Sequence, residues 1–313
     1  MATSLTNLLL AWTRVENGVV SLERIVEITE IESEEKGYNE DCDNENGEEN
    51  SINLSVIEPP SDWPSKGHIV FENVELKYNE KMMKNALDNV TYSIEGSNKL
   101  GICGRTGSGK SSTIYALLRG QKLNSGKIYI DGVDLSTVPL LTLRSRISTV
   151  SQDPFLLHAT IKENLKLGCE NEDLVDNDQI WDALEKVGMS HKVNSLDEGL
   201  ETQVTTDGME FSAGERQLLC IARVLLQKRK IVVLDEASSS MDTKTDEKLL
   251  DVLKHSLAGI TVISVAHRIS TIDKYDKVIV MDEGKIVEIG NPQHLLQDTE
   301  SKFRGLAESQ GVV

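Results

Sequence analysis

The chain reads as an α/β protein whose core is a mainly parallel sheet, and three observations carry that expectation. From His68 onward, strand-like runs alternate with helical ones. A glycine-rich loop, Gly104 to Ser112, follows one such strand and opens a helix. A second apolar run, Ile231 to Leu234, ends in an acidic pair, Asp235-Glu236. Helical crossovers between strands make the strands parallel.

Residues 1–30 come first. Leu5, Leu8, Leu9, Trp12, Val15, Val19, Leu22 and Val26 recur at helical spacing on one face, which predicts an amphipathic helix. Residues 31–66 read as an acidic, disordered linker. Ten acids crowd between Glu30 and Glu49 against Lys36 alone, and such a tract cannot bury enough apolar surface to fold. The linker closes on EPPSDWPSKG, a proline-marked boundary before a domain spanning 67–313.

Within that domain, HIVFENVELKY and NVTYSI are short β-like runs between polar turns and predict an antiparallel β subdomain. KLGICG is a buried strand feeding the glycine loop, and SSTIYALLRG is the helix after it. GKIYIDGVDL reads as a hairpin-like region and precedes the run ISTVSQDPFLL, which is β-like up to Gln152. Residues of about 155–227 then form a helical subdomain, polar and helix-prone between 160 and 200. IVVLDE, TVISVAH and KVIVMDEGKIVEIG restore strand character. No internal repeat is visible, so there is one copy of the domain.

Composition excludes several classes. The 313 residues can bury a sizeable core, and a hydrophobic fraction of 39% suits a globular protein. Half of the net charge of −18 lies in the acidic tract, and no basic stripe offers itself to nucleic acid. Cys42, Cys103, Cys169 and Cys220 are widely spaced, which reads as reduced thiols in a cytosolic setting, with the sequons at Asn53 and Asn89 incidental. The apolar stretch Leu8–Trp12 falls far short of the roughly 18 to 20 residues that span a bilayer, and it lacks the basic flank of a signal peptide.

The chemistry lies at the strand ends. Gly104-x-x-x-x-Gly109-Lys110-Ser111, after a strand and before a helix, matches a phosphate-binding loop. Its glycines let the backbone N–H groups of Arg105, Thr106, Gly107, Ser108 and their neighbours turn towards phosphates, and the helix start adds partial positive charge. Lys110 reaches the β- and γ-phosphates, and the Ser111 hydroxyl ligates Mg²⁺ beside Ser112. Asp235 at a buried strand end suits the same Mg²⁺, and Glu236 can take a proton from an attacking water. His267, after the next strand, can donate a hydrogen bond to charge growing in the transition state. Gln152 and Tyr78 carry no such meaning alone: a glutamine in a loop is usually surface, and an aromatic in a strand is usually packing.

Placement changes that. GRTGSGKSS, the Gln152 loop, FSAGERQLLCIAR, IVVLDEAS, SSMD and His267 together resemble the nucleotide-binding domain of an ATP-binding-cassette (ABC) protein across about residues 67–295. The likeness implies a phosphate-loop NTPase of ABC type, with ATP and Mg²⁺ as cofactors. It implies that Tyr78 stacks on adenine and that Gln152 links the Mg²⁺ site to a membrane partner. Asp242 would shape the dimer-interface loop, and Ser212 and Gly214 would touch the γ-phosphate of an ATP held by an opposing domain. GRTGSGKSS, ISTVSQDPFLLHATIKENL and RQLLCIARVLL narrow the likeness to the second such domain of fungal C-subfamily, multidrug-resistance-associated exporters. WTRVENGVVSLERIVEITE resembles the end of a last transmembrane helix, so the chain reads as a C-terminal transporter fragment without the membrane part.

The implied function is an ATPase coupled to transmembrane export. Its partners are a second nucleotide-binding domain, in another chain or as a homodimer, and transmembrane domains. The expected location is the cytoplasmic face of a vacuolar or plasma membrane, or the cytoplasm if unassembled. Two rivals are a remnant that binds ATP without transporting and a soluble ABC ATPase acting on ribosomes or chromosomes. One departure stands out. Where the family carries Leu-Ser-Gly-Gly-Gln or Leu-Ser-Val-Gly-Gln, this chain has Phe211-Ser212-Ala213-Gly214-Glu215. A Glu215 carboxylate about 6 Å from a partner's triphosphate would be repelled by roughly 3 kcal/mol at an effective dielectric near 20, weakening that site. If Glu215 turns to solvent or to the adjoining helix, the effect is small.

Overall fold

The computed structural model describes residues 2–31, 58–79, 84–205, 211–235, 252, 256–266 and 268–311. The chain divides into two units, residues 1–55 and 56–313. In the first, helix α1 spans Ala2–Thr29, as its periodicity predicts. Its apolar positions Trp12, Val15, Val19, Leu22 and Val26 are exposed. The side chains of Leu5, Leu8 and Leu9, and most of the acidic tract, lie outside the described residues. No helix among the described residues is long and apolar enough to cross a membrane.

The second unit carries two sheets. Strands β1 (Ile69–Leu76), β2 (Leu87–Ile94), β3 (Lys99–Gly104), β4 (Ser125–Ile130) and β5 (Val133–Asp134) come first. Then follow β6 (Ile147–Val150), β7 (Ile231–Asp235), β8 (Thr261–Val265), β9 (Lys277–Asp282) and β10 (Lys285–Gly290). Between and after them run α2 (Lys110–Leu117), α3 (Leu140–Ser145), α4 (Ile161–Lys166), α5 (Asn177–Lys186) and α6 (Ser190–Asn194). The last helices are α7 (Ala213–Gln227), α8 (Ile269–Ile272), α9 (Pro292–Gln297) and α10 (Lys302–Ser309).

The antiparallel sheet has the order β2-β1-β4-β5, with Phe71 paired to Tyr92 and their rings stacked at 4.5 Å. The second sheet has the order β10-β9-β3-β8-β7-β6 and is parallel except for the β9-β10 hairpin. Its central strands are continuous apolar runs because both faces are covered. On β7 the two-residue period splits the strand cleanly. Ile231 and Val233 enter a core shared with the antiparallel sheet, whereas Val232 and Leu234 enter one shared with α4, α5 and α7. On β3, Leu100 and Ile102 take the first side and Cys103 the second. Gly101 gives Ile272 of α8 room to approach, since a Cβ there would lie 2.7 Å from the Ile272 Cβ.

Asp131 opens the β4-β5 turn at φ 50°, followed by Gly132 at φ 82°, an Asp-Gly pair suited to a tight hairpin. Its carboxylate accepts from the backbone N–H groups of Ser65, Lys66, Gly67 and His68 at 2.8–3.1 Å. Partial burial works to raise that carboxyl, and the four donors outweigh it, so it ionises below the usual aspartate range.

The parallel sheet aligns its carboxyl ends. Val150 pairs with Leu234, Asp235 with Val265, and Val265 with Ile102. The segments leaving β3, β6, β7 and β8 therefore emerge along one edge, the edge where open α/β sheets receive ligands.

Candidate functional site

The loop after β3 is shaped for a bound anion. Gly104, Gly107 and Gly109 hold φ of 146°, 80° and 101°, which L side chains rarely adopt. A Cβ on Gly104 would stand 2.2 Å from the Met281 carbonyl oxygen, and one on Gly109 would stand 2.5 Å from that of Ala86. The loop thus passes between the β9-β10 hairpin and the start of β2 with no room for side chains at those two points. Gly284 N–H also donates to the Ser108 carbonyl at 3.0 Å.

Lys110 is 5% exposed, and its ammonium donates to the carbonyl oxygens of Gly104 and Arg105 at 3.1 and 3.0 Å. It therefore arches back over the loop it terminates. Ser111 Oγ donates to Asp235 Oδ1 at 3.3 Å, across 124 residues of sequence. The Tyr78 hydroxyl donates to Ser112 Oγ at 3.0 Å, and its ring meets Tyr115 edge-on at 6.3 Å. Tyr78 stands just beyond β1 and not within it, because the strand ends at Leu76.

These residues fit ATP with Mg²⁺. Ser108 Oγ is buried without a hydrogen-bond partner among the described residues, inside the loop that would cradle phosphates. Helix α2 starts at Gly109 with no side-chain cap, which leaves N–H groups for an anion. Ser111 and Asp235 supply hard oxygen donors, the kind Mg²⁺ takes. Cys103, adjoining Gly104, is pushed up to about 12 by burial, with Lys110 drawing it down and Glu288 up, so it stays a thiol.

Gln152 is exposed in the segment after β6, on the same sheet edge as Asp235. Glu236, Asp242 and His267 lie outside the described residues. Their neighbours Asp235 and Ala266 end or follow β7 and β8 on that edge.

Ser212 and Gly214 stand apart from this group, at the start of α7, and no described hydrogen bond joins them to the phosphate loop. There Ser212 is the N-cap: its hydroxyl accepts from Glu215 N–H at 3.2 Å, and Glu215 Oε2 accepts from Ser212 N–H at 2.8 Å. Lys192 on α6 approaches Glu215 Oε1 at 3.5 Å. Of the two orientations the sequence left open, Glu215 takes the one towards its own chain. Two residues that the sequence reading passed over also belong to this region. Tyr115 braces Tyr78, and Gln217 of α7 is fully buried while its Nε2 donates to the Ser151 carbonyl at 3.1 Å. Gln217 precedes the apolar run Leu218–Ala222 and follows Arg216, so nothing local marked it as buried.

The family model described as ABC transporter matches residues 87–239, from β2 past Asp235. Those residues form an ABC transporter domain. The chain is 38% identical over 298 residues, 95% of its length, to human ATP-binding cassette sub-family C member 2, of which it covers 18%. It is 36% identical over 327 aligned residues to the oligomycin resistance ATP-dependent permease of Saccharomyces cerevisiae, covering 99% of the chain and 21% of the permease. The chain thus spans about a fifth of these C-subfamily relatives. A solved bacterial Atm1-family ABC exporter with ATP bound aligns at TM-score 0.74 and 27% identity, covering 83% of this chain and 46% of that one. The ABC transporter domain here is similar to domains of these C-subfamily relatives and of this solved exporter.

Proposed function

We propose that the chain binds ATP and Mg²⁺, hydrolyses the ATP in a site closed by a second ABC domain, and drives export through transmembrane helices. The observation that carries this is the meeting of Ser111 Oγ with Asp235 Oδ1 beneath the arched Lys110. Residues 67–313 act as the nucleotide-binding domain, with 155–227 as its helical subdomain, at the cytoplasmic face of a membrane.

Lys110 and the loop amides hold the phosphates, and Tyr78 offers its ring to adenine. Ser111, Asp235 and Gln152 hold Mg²⁺, which when bound neutralises phosphate charge. Glu236 accepts the proton of the attacking water. His267 and Lys110 donate hydrogen bonds to the charge that develops on the γ-phosphate oxygens. Ser212 and Gly214 do the equivalent for a partner's ATP, and Asp242 lies at the contact between domains. Phe155, 64% exposed, and Leu157, 37% exposed, follow Gln152 closely and give the membrane domains an apolar surface to press on.

The test is Glu236→Gln in the chain assembled with its membrane partner. ATP binding should be retained while turnover falls by about 10²- to 10⁴-fold. Full retained turnover would refute the assignment of Glu236.

A further inference from the structure

The segment that carries Gln152 is held to the signature helix by a row of side chains. From α7, Gln217 Nε2 donates to the Ser151 carbonyl at 3.1 Å, Cys220 Sγ approaches the Phe155 carbonyl at 3.8 Å, and Arg223 Nη2 donates to the same oxygen at 3.3 Å. Positions 217, 220 and 223 advance along one flank of the helix at three-residue steps. Both ends of the short stretch around Gln152 are therefore tied to α7, and Gln152 itself projects from between the ties.

The Gln217 tie is unusual in its cost. The side chain is fully buried, yet its Oε1 has no hydrogen-bond partner among the described residues. A buried orphan acceptor destabilises a fold, because its lost hydration is not replaced. Ser151 is exposed, so water could serve its carbonyl without Gln217. Stability alone therefore gives little reason for an amide at position 217.

We propose that Gln217 is a positioning residue for Gln152, setting the approach of the Gln152 side chain to the metal beside Ser111 and Asp235. The same helix begins with Ser212 and Gly214, which face a partner's nucleotide. Gln217 is thus the joint through which the metal side of this chain's site and the signature it lends to its partner move as one body. The inference rests on the ATP reading above.

The experiment uses the full chain and measures ATP affinity with Mg²⁺ and, separately, in EDTA. Gln217→Met keeps the side-chain length, removes the donor and removes the orphan acceptor, so the protein should fold with an unchanged or raised Tm. Its Mg²⁺-dependent gain in affinity should shrink about five-fold, the scale of one hydrogen bond, while its affinity in EDTA stays within about two-fold of wild type. Gln217→Leu loses both the donor and the orphan acceptor without burying an ionisable group, and gives the same readout should Gln217→Met fail to fold. In a Gln152→Ala background, Gln217→Met should cost no further Mg²⁺-dependent affinity.

A full Mg²⁺ gain in Gln217→Met overturns the inference, as do equal losses with and without Mg²⁺ or additive losses in the double variant. A wild type that binds ATP equally in both media overturns it too. A wild type that binds no ATP in either medium sinks the ATP reading itself, which separates the two failures.

Discussion

Two helix starts are assigned to nucleotide phosphates in the proposed function, and they are finished differently. Helix α2 begins at Gly109 with no side-chain cap and with Lys110 as its first residue. Helix α7 begins at Ser212 inside a complete capping box, with the Glu215 carboxylate on the Ser212 N–H and Lys192 close behind it. The first start has no side-chain cap on its N–H groups, and its Lys110 ammonium is tied to the carbonyls of the loop before it. The second has already drawn a negative charge from its own chain. A helix N-terminus favours an anion near it, and an internal carboxylate takes up part of that favour. On the proposed function, the loop before α2 can take an anion as it stands, whereas the start of α7 must first loosen its own carboxylate.

The sharpest way to break this contrast is Lys110→Ala. Lys110 supplies charge and also ties the Gly104 and Arg105 carbonyls, so its loss removes both the cation and part of the loop's shape. Charge-assisted bonds of about 1.5–3 kcal/mol translate to a loss of roughly 10- to 10²-fold in ATP affinity, read with a fluorescent nucleotide. Binding retained within a few-fold would mean that the α2 start is no better prepared than the α7 start.

A smaller effect is expected from Glu215→Gln. Glutamine at the third helical position still accepts the Ser212 N–H, so the capping box survives and only the charge is lost. In the chain paired with a second ABC domain, ATP affinity at the partner's site should rise about three- to ten-fold, less than free Coulomb repulsion implies because Lys192 and solvent already screen the carboxylate. An unchanged affinity and rate would show the carboxylate to be a cap and nothing more.

Much of this was legible in the sequence, for physical reasons. Ile231–Leu234 is apolar on every residue, and Thr261–Val265 is apolar but for Thr261 and Ser264 and buried throughout, because both faces of the parallel sheet are covered, so they read as buried strands. The phosphate loop was legible because its glycines answer positive φ and close carbonyls. Ser212 and Glu215 also spell a local capping box, in which the carboxylate serves its own backbone. The tie from Gln217 to Ser151 spans 66 residues, and no local pattern announces it. Only the packing of α7 beside the strand that ends at Val150 brings the two together.

The least effect, and the most discriminating, is in pH. Partial burial works to raise the Glu215 carboxyl, while the Ser212 backbone N–H and hydroxyl and the Lys192 ammonium outweigh it and hold it below the usual glutamate range. A carboxyl depressed on folding stabilises fully above its unfolded value, near 4.3, and that contribution disappears as pH falls through the lower folded value. Wild type should therefore exceed Glu215→Gln by about 0.3–1 kcal/mol at neutral pH, and the gap should close below about pH 4. Thermal denaturation of both proteins from pH 7 to pH 3 measures it. A gap that does not change with pH would mean that the Glu215 charge is not what stabilises the α7 start. The two Glu215→Gln measurements must also carry opposite signs, because the charge that steadies α7 is the one that competes with the partner's phosphate. A variant that bound the partner's ATP more tightly with no loss of stability at neutral pH would break that link.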